Sequence, residues 1–269
     1  MKKIFSMGGL GDAFIVFTKI QTMMLESTLY PIHWTHVESN ETVPELLEQF
    51  LHSKFAFFYW RFERNFICDP DYVNKFQSAV INPNDAINPY VDYIKNSHCL
   101  NTSWDGSKEV FHVKDPDGFK QMPFLFTDLS RYKKEYDIAV QVDAGAKSNR
   151  KWNFNPLGLA KILRTKGYKV CLVGHNQEFF DDKDSDNFVC KLDLKDSLDK
   201  IINVDCFIGL NGFYTFVNMA SRVNTIFFEE SPQHTEQYVC PAWRRYMHKC
   251  SYGSLNEVMF HLRKLGFNV

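Results

Sequence analysis

Near its start the chain reads Gly8-Gly9-Leu10-Gly11-Asp12, directly after the short apolar stretch Lys2 to Ser6. Apolar residues then recur at helical spacing from Asp12 onward, at Phe14, Phe17, Ile20, Met24 and Leu25, which predicts a strand, a tight turn and a helix. Such a turn lets a ligand approach the backbone, and the N–H groups that open the helix favour negative charge. Gly9 and Gly11 are candidate phosphate contacts on this ground. The spacing does not match Gly-x-Gly-x-x-Gly in register, and no Lys-Ser or Lys-Thr follows as in a P-loop. What stands at the helix start is a carboxylate. Exposed N–H groups hold it ionised, and an ionised Asp12 can accept a proton from an attacking alcohol. Asp is also among the best helix-capping residues, so the residues alone leave two roles open for Asp12, cap and base.

Further candidates follow in the second half. Lys147, Arg150 and Lys151 lie in one polar loop and can neutralise a phosphate, and Trp152 offers a flat apolar face to a base or sugar. The alternative is a solvated surface loop with Trp152 as a lobe anchor. His175 follows Gly174 at the end of a predicted strand, and Asn211 and Gly212 precede a predicted helix. Glu229-Glu230 also follows a strand, a position that can hydrogen-bond a ribose or simply face water. Asp-x-Asp occurs at 69–71, 115–117, 182–184 and 184–186. These read as turns, with only Asp181 to Asp186 dense enough for a cation, and no metal site is expected. His33 and His36 fall on opposite faces of one strand, so they make poor partners for a metal. The seven cysteines form no Cys-x-x-Cys pair and read as reduced thiols. No Gly-x-Ser-x-Gly elbow appears.

The elements that must hold these residues alternate. Strands are predicted over 30–37, 55–60, 136–142, 168–173, 205–209 and 225–228, and helices over 43–51, 194–202, 214–221 and 254–265. Asn155, Pro156 and Gly167 bracket one more helix as cap, first-turn residue and stop. The region from Arg61 to Lys134 carries Pro70, Pro83, Pro89, Pro116 and Pro123, which exclude a continuous helix; a short one is expected near Tyr90 to Lys95. Alternating strands and helices imply parallel sheets covered by helices. Two β/α arrays around this Pro-rich middle predict two Rossmann-like lobes facing a cleft, residues 1–130 and 131–269, joined between Thr127 and Tyr136. A single doubly wound sheet is the alternative.

With 31 basic and 32 acidic residues in 269, the chain has no net field that would favour a polyanion. No apolar run is long enough to span a bilayer and no signal-peptide core follows Met1, so a cytoplasmic protein is expected.

Three stretches are similar, in order, to the heptosyltransferases, GT-B glycosyltransferases of family 9 that move a heptose from ADP-heptose to lipopolysaccharide core. They are Ser6 to Asp12, Val142 to Trp152, and Asp205 to Thr215. The resemblance implies a GT-B α/β fold, Asp12 as catalytic base, an inverting reaction, and an N-terminal acceptor lobe with a C-terminal donor lobe. Arg150 falls where the family has its lysine, with Trp152 in register. Asn211, Gly212, Phe213, Tyr214 and Thr215 fall on the segment that presents the nucleotide-sugar diphosphate to a helix start. Asn211 and Phe216 stand where the family usually has Asp and His, and the donor sugar stays open.

The expected partners are therefore a nucleotide-sugar donor, used as co-substrate with no other cofactor, and a hydroxyl acceptor. The acceptor can be a saccharide, a glycolipid or a hydroxylated DNA base, nucleic acid entering only in that role. Hydrolysis or epimerisation of the nucleotide sugar on the same fold, and non-catalytic nucleotide binding, are the alternatives.

Overall fold

The computed structural model describes residues 2–26, 31–53, 62–100, 134–144, 150–175, 188–190, 193–229 and 239–269. The chain divides into two compact units, Met1–Leu125 with Glu236–Pro241, and Phe126–Thr235 with Ala242–Val269. It thus leaves the first unit, builds most of the second, returns to the first for one short segment, and ends in the second.

In the first unit, β1 (Lys2–Met7) is followed by α1 (Leu10–Glu26), β2 (Ile32–Glu38), α2 (Thr42–Leu51), β3 (Phe62–Cys68), α3 (Tyr72–Ile81), α4 (Val91–Asn96) and β4 (His98–Cys99). The sheet order is β3-β2-β1-β4 and every pairing is parallel. Ile4, Phe5, Ser6 and Met7 are all buried, as a strand covered on both faces by helices requires. Helix α2 buries Val43, Leu46, Leu47, Phe50 and Leu51 on one side, and Phe50 meets Phe14 and Phe17 of α1 edge to face. Phe5 stacks on Phe76 of α3 and Tyr93 of α4.

One expectation falls outside the described residues and another needs adjustment. The strand predicted over 55–60 lies outside the described residues, and the strand beside β2 is β3. Helix α3 occupies the interval between Pro70 and Pro83. The prolines forbid a helix running through them but bound a short one between them. Asp69 ties this region together: its carboxylate accepts from Lys75 Nζ at 2.8 Å and from the Tyr90 hydroxyl at 2.9 Å.

The second unit contains β5 (Ile138–Gln141), α5 (Pro156–Thr165), β6 (Val170–Gly174), β7 (Phe188–Cys190), α6 (Leu194–Ile201), β8 (Cys206–Leu210), α7 (Phe213–Ala220), β9 (Asn224–Phe228), a 3-10 helix (Pro241–Tyr246), β10 (Met247–Cys250) and α8 (Leu255–Lys264). Asn155 accepts from Leu157 N at 3.0 Å as the cap of α5, and Gly167 has φ +91 after its last turn, both as the sequence predicts. Ser254 and Glu257 form a capping box on α8.

The sheet order is β10-β9-β8-β5-β6-β7, all parallel. Counted within the unit and read from β7, this is 3-2-1-4-5-6, the Rossmann order. The order reverses between β5 and β8, and the corresponding reversal in the first sheet lies between β1 and β4. Open parallel sheets bind ligands beyond the carboxyl ends of the strands at such reversals. Six cysteines, Cys68, Cys99, Cys171, Cys206, Cys240 and Cys250, are free thiols, four of them buried. Among the described residues no helix is long and apolar enough to cross a membrane.

Candidate functional site

At the carboxyl end of β1 the backbone turns at Gly8, whose φ of +121 suits only glycine. A Cβ there would lie 2.7 Å from Asp12 Oδ2. The helix opens at Leu10, two residues earlier than the pattern from Asp12 indicated, so Gly11 and Asp12 both lie in its first turn. Asp12 is therefore not at the N-cap position. It reaches back from the third helical residue and accepts the Gly9 N–H at 2.9 Å, the reciprocal half of a capping box.

Other groups crowd this turn. A side chain at Gly9 would meet both Asp12 Oδ2 and Glu38 Oε2 at 3.7 Å, so the two carboxylates flank Gly9 from α1 and β2. Glu38 is buried, and its other oxygen accepts from Ser39 N at 2.7 Å, Ser39 Oγ at 2.9 Å and Asn40 N at 3.0 Å. Burial, then the charges of Glu38 and Asp12, push the Tyr72 phenol up to about 12.

Below the turn runs a fixed chain of hydrogen bonds. Trp34 Nε1 donates to Ser6 Oγ at 2.8 Å, Ser6 Oγ lies 2.8 Å from His36 Nδ1, and His36 Nε2 lies 2.8 Å from the Gly8 carbonyl. A carbonyl only accepts, so Nε2 carries the proton and Nδ1 accepts from Ser6. Burial outweighs the Gly8 bond and lowers the His36 pKa to about 4, so the ring is neutral and serves as a strut under Gly8. His33, one face over, lies 3.5 Å from Glu63.

In the second unit the reversal point is bridged by Gln141. Its amide donates to Asp143 O at 2.8 Å, its Oε1 accepts from Leu210 N at 3.2 Å, and its carbonyl accepts from Trp152 Nε1 at 3.0 Å. Gly209 is held to glycine here, because a Cβ would lie 2.3 Å from the Phe207 ring and 2.9 Å from Gln141 Oε1.

Four polar residues occupy strand ends. Asp143 follows β5 and accepts from His175 N at 2.8 Å, with His175 Nδ1 at 3.0 Å. Gly174 permits that approach, since a Cβ would lie 2.8 Å from Val142. Asn211 follows β8, and its Nδ2 donates to Glu229 Oε1, at the end of β9, at 2.6 Å. Arg150 Nη1 donates to the Asn211 carbonyl and lies 3.9 Å from the Cβ position of Gly212, the N-cap residue of α7, which supplies no side-chain cap. A cation thus stands beside a helix start that has no side-chain cap, an arrangement suited to a phosphate.

Several predicted contacts take other roles. Trp152 is 6% exposed and packs in the core against Phe154 and Phe228, so it anchors the unit and offers no open face. Phe213 and Tyr214 are buried, Tyr214 OH lying 3.0 Å from Ser197 Oγ, and Thr215 Oγ1 donates to Leu210 O. These three side chains are committed to the fold. Lys151 is exposed, while Lys147 and the Asp181 to Asp186 cluster lie outside the described residues. Gln141, Asp143, Glu38 and His36 were not singled out as site residues by sequence pattern.

The chain is similar to the solved structure of E. coli ADP-heptose LPS heptosyltransferase II with a TM-score of 0.57, covering 98% of each chain at 12% identity. The chain has the heptosyltransferase fold. E. coli heptosyltransferase WaaC with ADP-2-deoxy-2-fluoro heptose matches 98% of this chain and 99% of its own at TM-score 0.53 and 11% identity. The iron-containing dodecameric glycosyltransferase TibC of enterotoxigenic E. coli H10407 matches at TM-score 0.52 and 16% identity, with this chain spanning 66% of TibC. No protein-family model and no curated protein sequence matches the chain. Among the described residues no three metal-ligating side chains come together. At these identities the heptosyltransferase fold is common ground and the residues are not.

Proposed function

We propose that this chain transfers a sugar from a nucleotide-sugar donor to an acceptor hydroxyl. Residues 131–269 bind the donor and residues 1–130 the acceptor. The observation that carries the reading is Arg150 against the start of α7, at the reversal point of a Rossmann-order sheet. Departure of a nucleoside diphosphate builds negative charge there, and the guanidinium and helix N–H groups stabilise it as it forms. They supply the charge that a divalent ion supplies elsewhere, so the reading is metal-independent transfer. Asp12 takes the proton of the attacking hydroxyl, with inversion at the anomeric carbon. Its bond to Gly9 N–H favours the ionised form that such a base needs. The acceptor is a saccharide, a glycolipid or a hydroxylated DNA base.

Melting curves with ADP-, UDP-, GDP- and CMP-sugars test donor binding, and no shift with any of them would defeat the reading. Asp12→Asn then tests the base. Asparagine still accepts from Gly9, so stability should change by less than about 1 kcal/mol, whereas transfer should fall roughly 100-fold or more. Transfer at the wild-type rate would leave Asp12 only its structural bond to Gly9 N–H. Donor consumption without any acceptor would point to hydrolysis or epimerisation.

A further inference from the structure

Glu229 is an unusual neighbour for an anion site. It is 6% exposed, its Oε1 is 2.6 Å from Asn211 Nδ2, and Asn211 borders the helix start that Arg150 approaches. Among the described residues, Lys249 on β10 and Arg150 are cations that act on it; burial raises its pKa to about 7 against their opposing pull and that of the Asn211 bond. Asn211 is itself 8% exposed, and its Oδ1 is buried with no hydrogen-bond partner. Because Nδ2 is committed to Glu229, the amide is turned so that Oδ1 remains an acceptor. An unsatisfied buried acceptor is costly and is satisfied when a ligand hydroxyl donates to it.

We propose that Glu229 is a positioning residue of the donor site: it orients the Asn211 amide toward a donor hydroxyl, and the donor's diphosphate binds with uptake of a proton onto the Glu229 carboxylate. This rests on the donor-site reading above. The physical cause is competition. An ionised Glu229 repels the diphosphate and draws on the same Arg150 that the diphosphate needs, so binding favours the protonated acid. The proton comes from solvent and no bond of the donor changes. With the proton on Oε2, Oε1 still accepts from Asn211. The ligand class implied is a nucleotide sugar whose sugar or ribose presents a neutral hydroxyl, since Asn211 Oδ1 can only accept.

A nucleotide sugar has no titrating phosphate near neutral pH, so the affinity of whichever of ADP-, UDP- or GDP-glucose binds most tightly reports on the protein. Wild type should bind roughly tenfold more weakly at about pH 8 than at about pH 6. Glu229→Gln keeps the acceptor for Asn211 without a charge, so it should bind at both pH values as wild type does at pH 6. Glu229→Ala, which frees the amide, should bind more weakly than Glu229→Gln at both. His175 lies 3.0 Å from Asp143 at a neighbouring strand end; a wild-type slope that persists in Glu229→Gln would arise from a group other than Glu229 and overturn the proposal. Equal binding by the Ala and Gln variants would overturn the positioning role. Should Glu229→Gln fail to fold, calorimetry of wild type at about pH 7 in two buffers of different ionisation enthalpy decides. Uptake of a fraction of a proton supports the proposal and zero uptake overturns it. Failure of every nucleotide sugar to bind would sink the donor reading and this inference together, whereas pH-independent binding would sink this inference alone.

Discussion

Gly8 and Gly9 are indistinguishable in the sequence, and the structure separates them. Gly8 has a left-handed φ and no room for a Cβ beside Asp12, whereas a Cβ at Gly9 would make ordinary contacts at 3.7 Å. Gly8→Ala should therefore lose about 1–3 kcal/mol and displace the Asp12 carboxylate, while Gly9→Ala should cost under about 1 kcal/mol. Chemical denaturation of the two variants checks this, and equal losses would contradict it. The contact of Asp12 with Gly9 is local, the glycines, helix start and carboxylate lying within five residues. Glu38, His36 and Tyr72 were not legible in the sequence, because they reach the same turn through the pairing of β2 with β1 and the placement of α3. No spacing along the chain encodes that proximity. Trp152 shows the converse. A tryptophan beside basic residues reads as a platform, and only burial reveals that its indole N–H is spent on Gln141.

Side-chain chemistry marks the limits of some elements in the sequence, and others carry no such mark. Helix α5 carries Asn155, Pro156 and Gly167 at its ends, and α8 carries Ser254, so side-chain chemistry marks their limits. Strand β3 reads Phe-Glu-Arg-Asn-Phe-Ile-Cys and lies at the edge of its sheet, where polar residues tolerate the exposed side and no apolar run forms. The short strands β7 and β10 escape for want of length. Gln141 is the residue on which element placement turns, because it fastens β5 to the start of the β8–α7 turn. Gln141→Leu should strand the Leu210 N–H and the Asp143 carbonyl, lowering stability by about 1–3 kcal/mol and speeding exchange of the Leu210 amide. Unaltered exchange at Leu210 would show that the bridge carries no such role.

Across the whole molecule, each unit holds a histidine kept neutral. His36 in the first and His248 in the second both have pKa values near 4, through burial in each case, aided for His248 by His261 and Lys264. Above about pH 6.5 these rings are neutral whether the chain is folded or not, and they add no pH dependence. As pH falls from 6.5 toward 4 the unfolded chain takes up protons that the folded chain refuses, so stability declines, by up to roughly 3 kcal/mol for fully buried His36. Calorimetric melts across this window should show the decline, and His36→Gln should flatten it whatever its effect at neutral pH; an identical slope in the variant would refute the assignment. Two β/α arrays were visible in the sequence as repeated strand and helix patterns. The strand orders were not, since a pattern of elements does not say which strands are neighbours.

Nor did the pattern reveal that the chain comes back to its first unit over Glu236–Pro241, where Val239 and Cys240 are buried. That return bears on how such a protein can diversify. Two halves joined by one linker can be exchanged between genes by a single recombination. Here one crossover after residue 125 would strand Val239 and Cys240 with the wrong half, and an intact exchange needs two further breaks around a short graft. On the donor-site reading proposed above, new preferences are therefore more accessible by point substitution at the strand ends, at positions such as Asn211 and Glu229, than by trading halves.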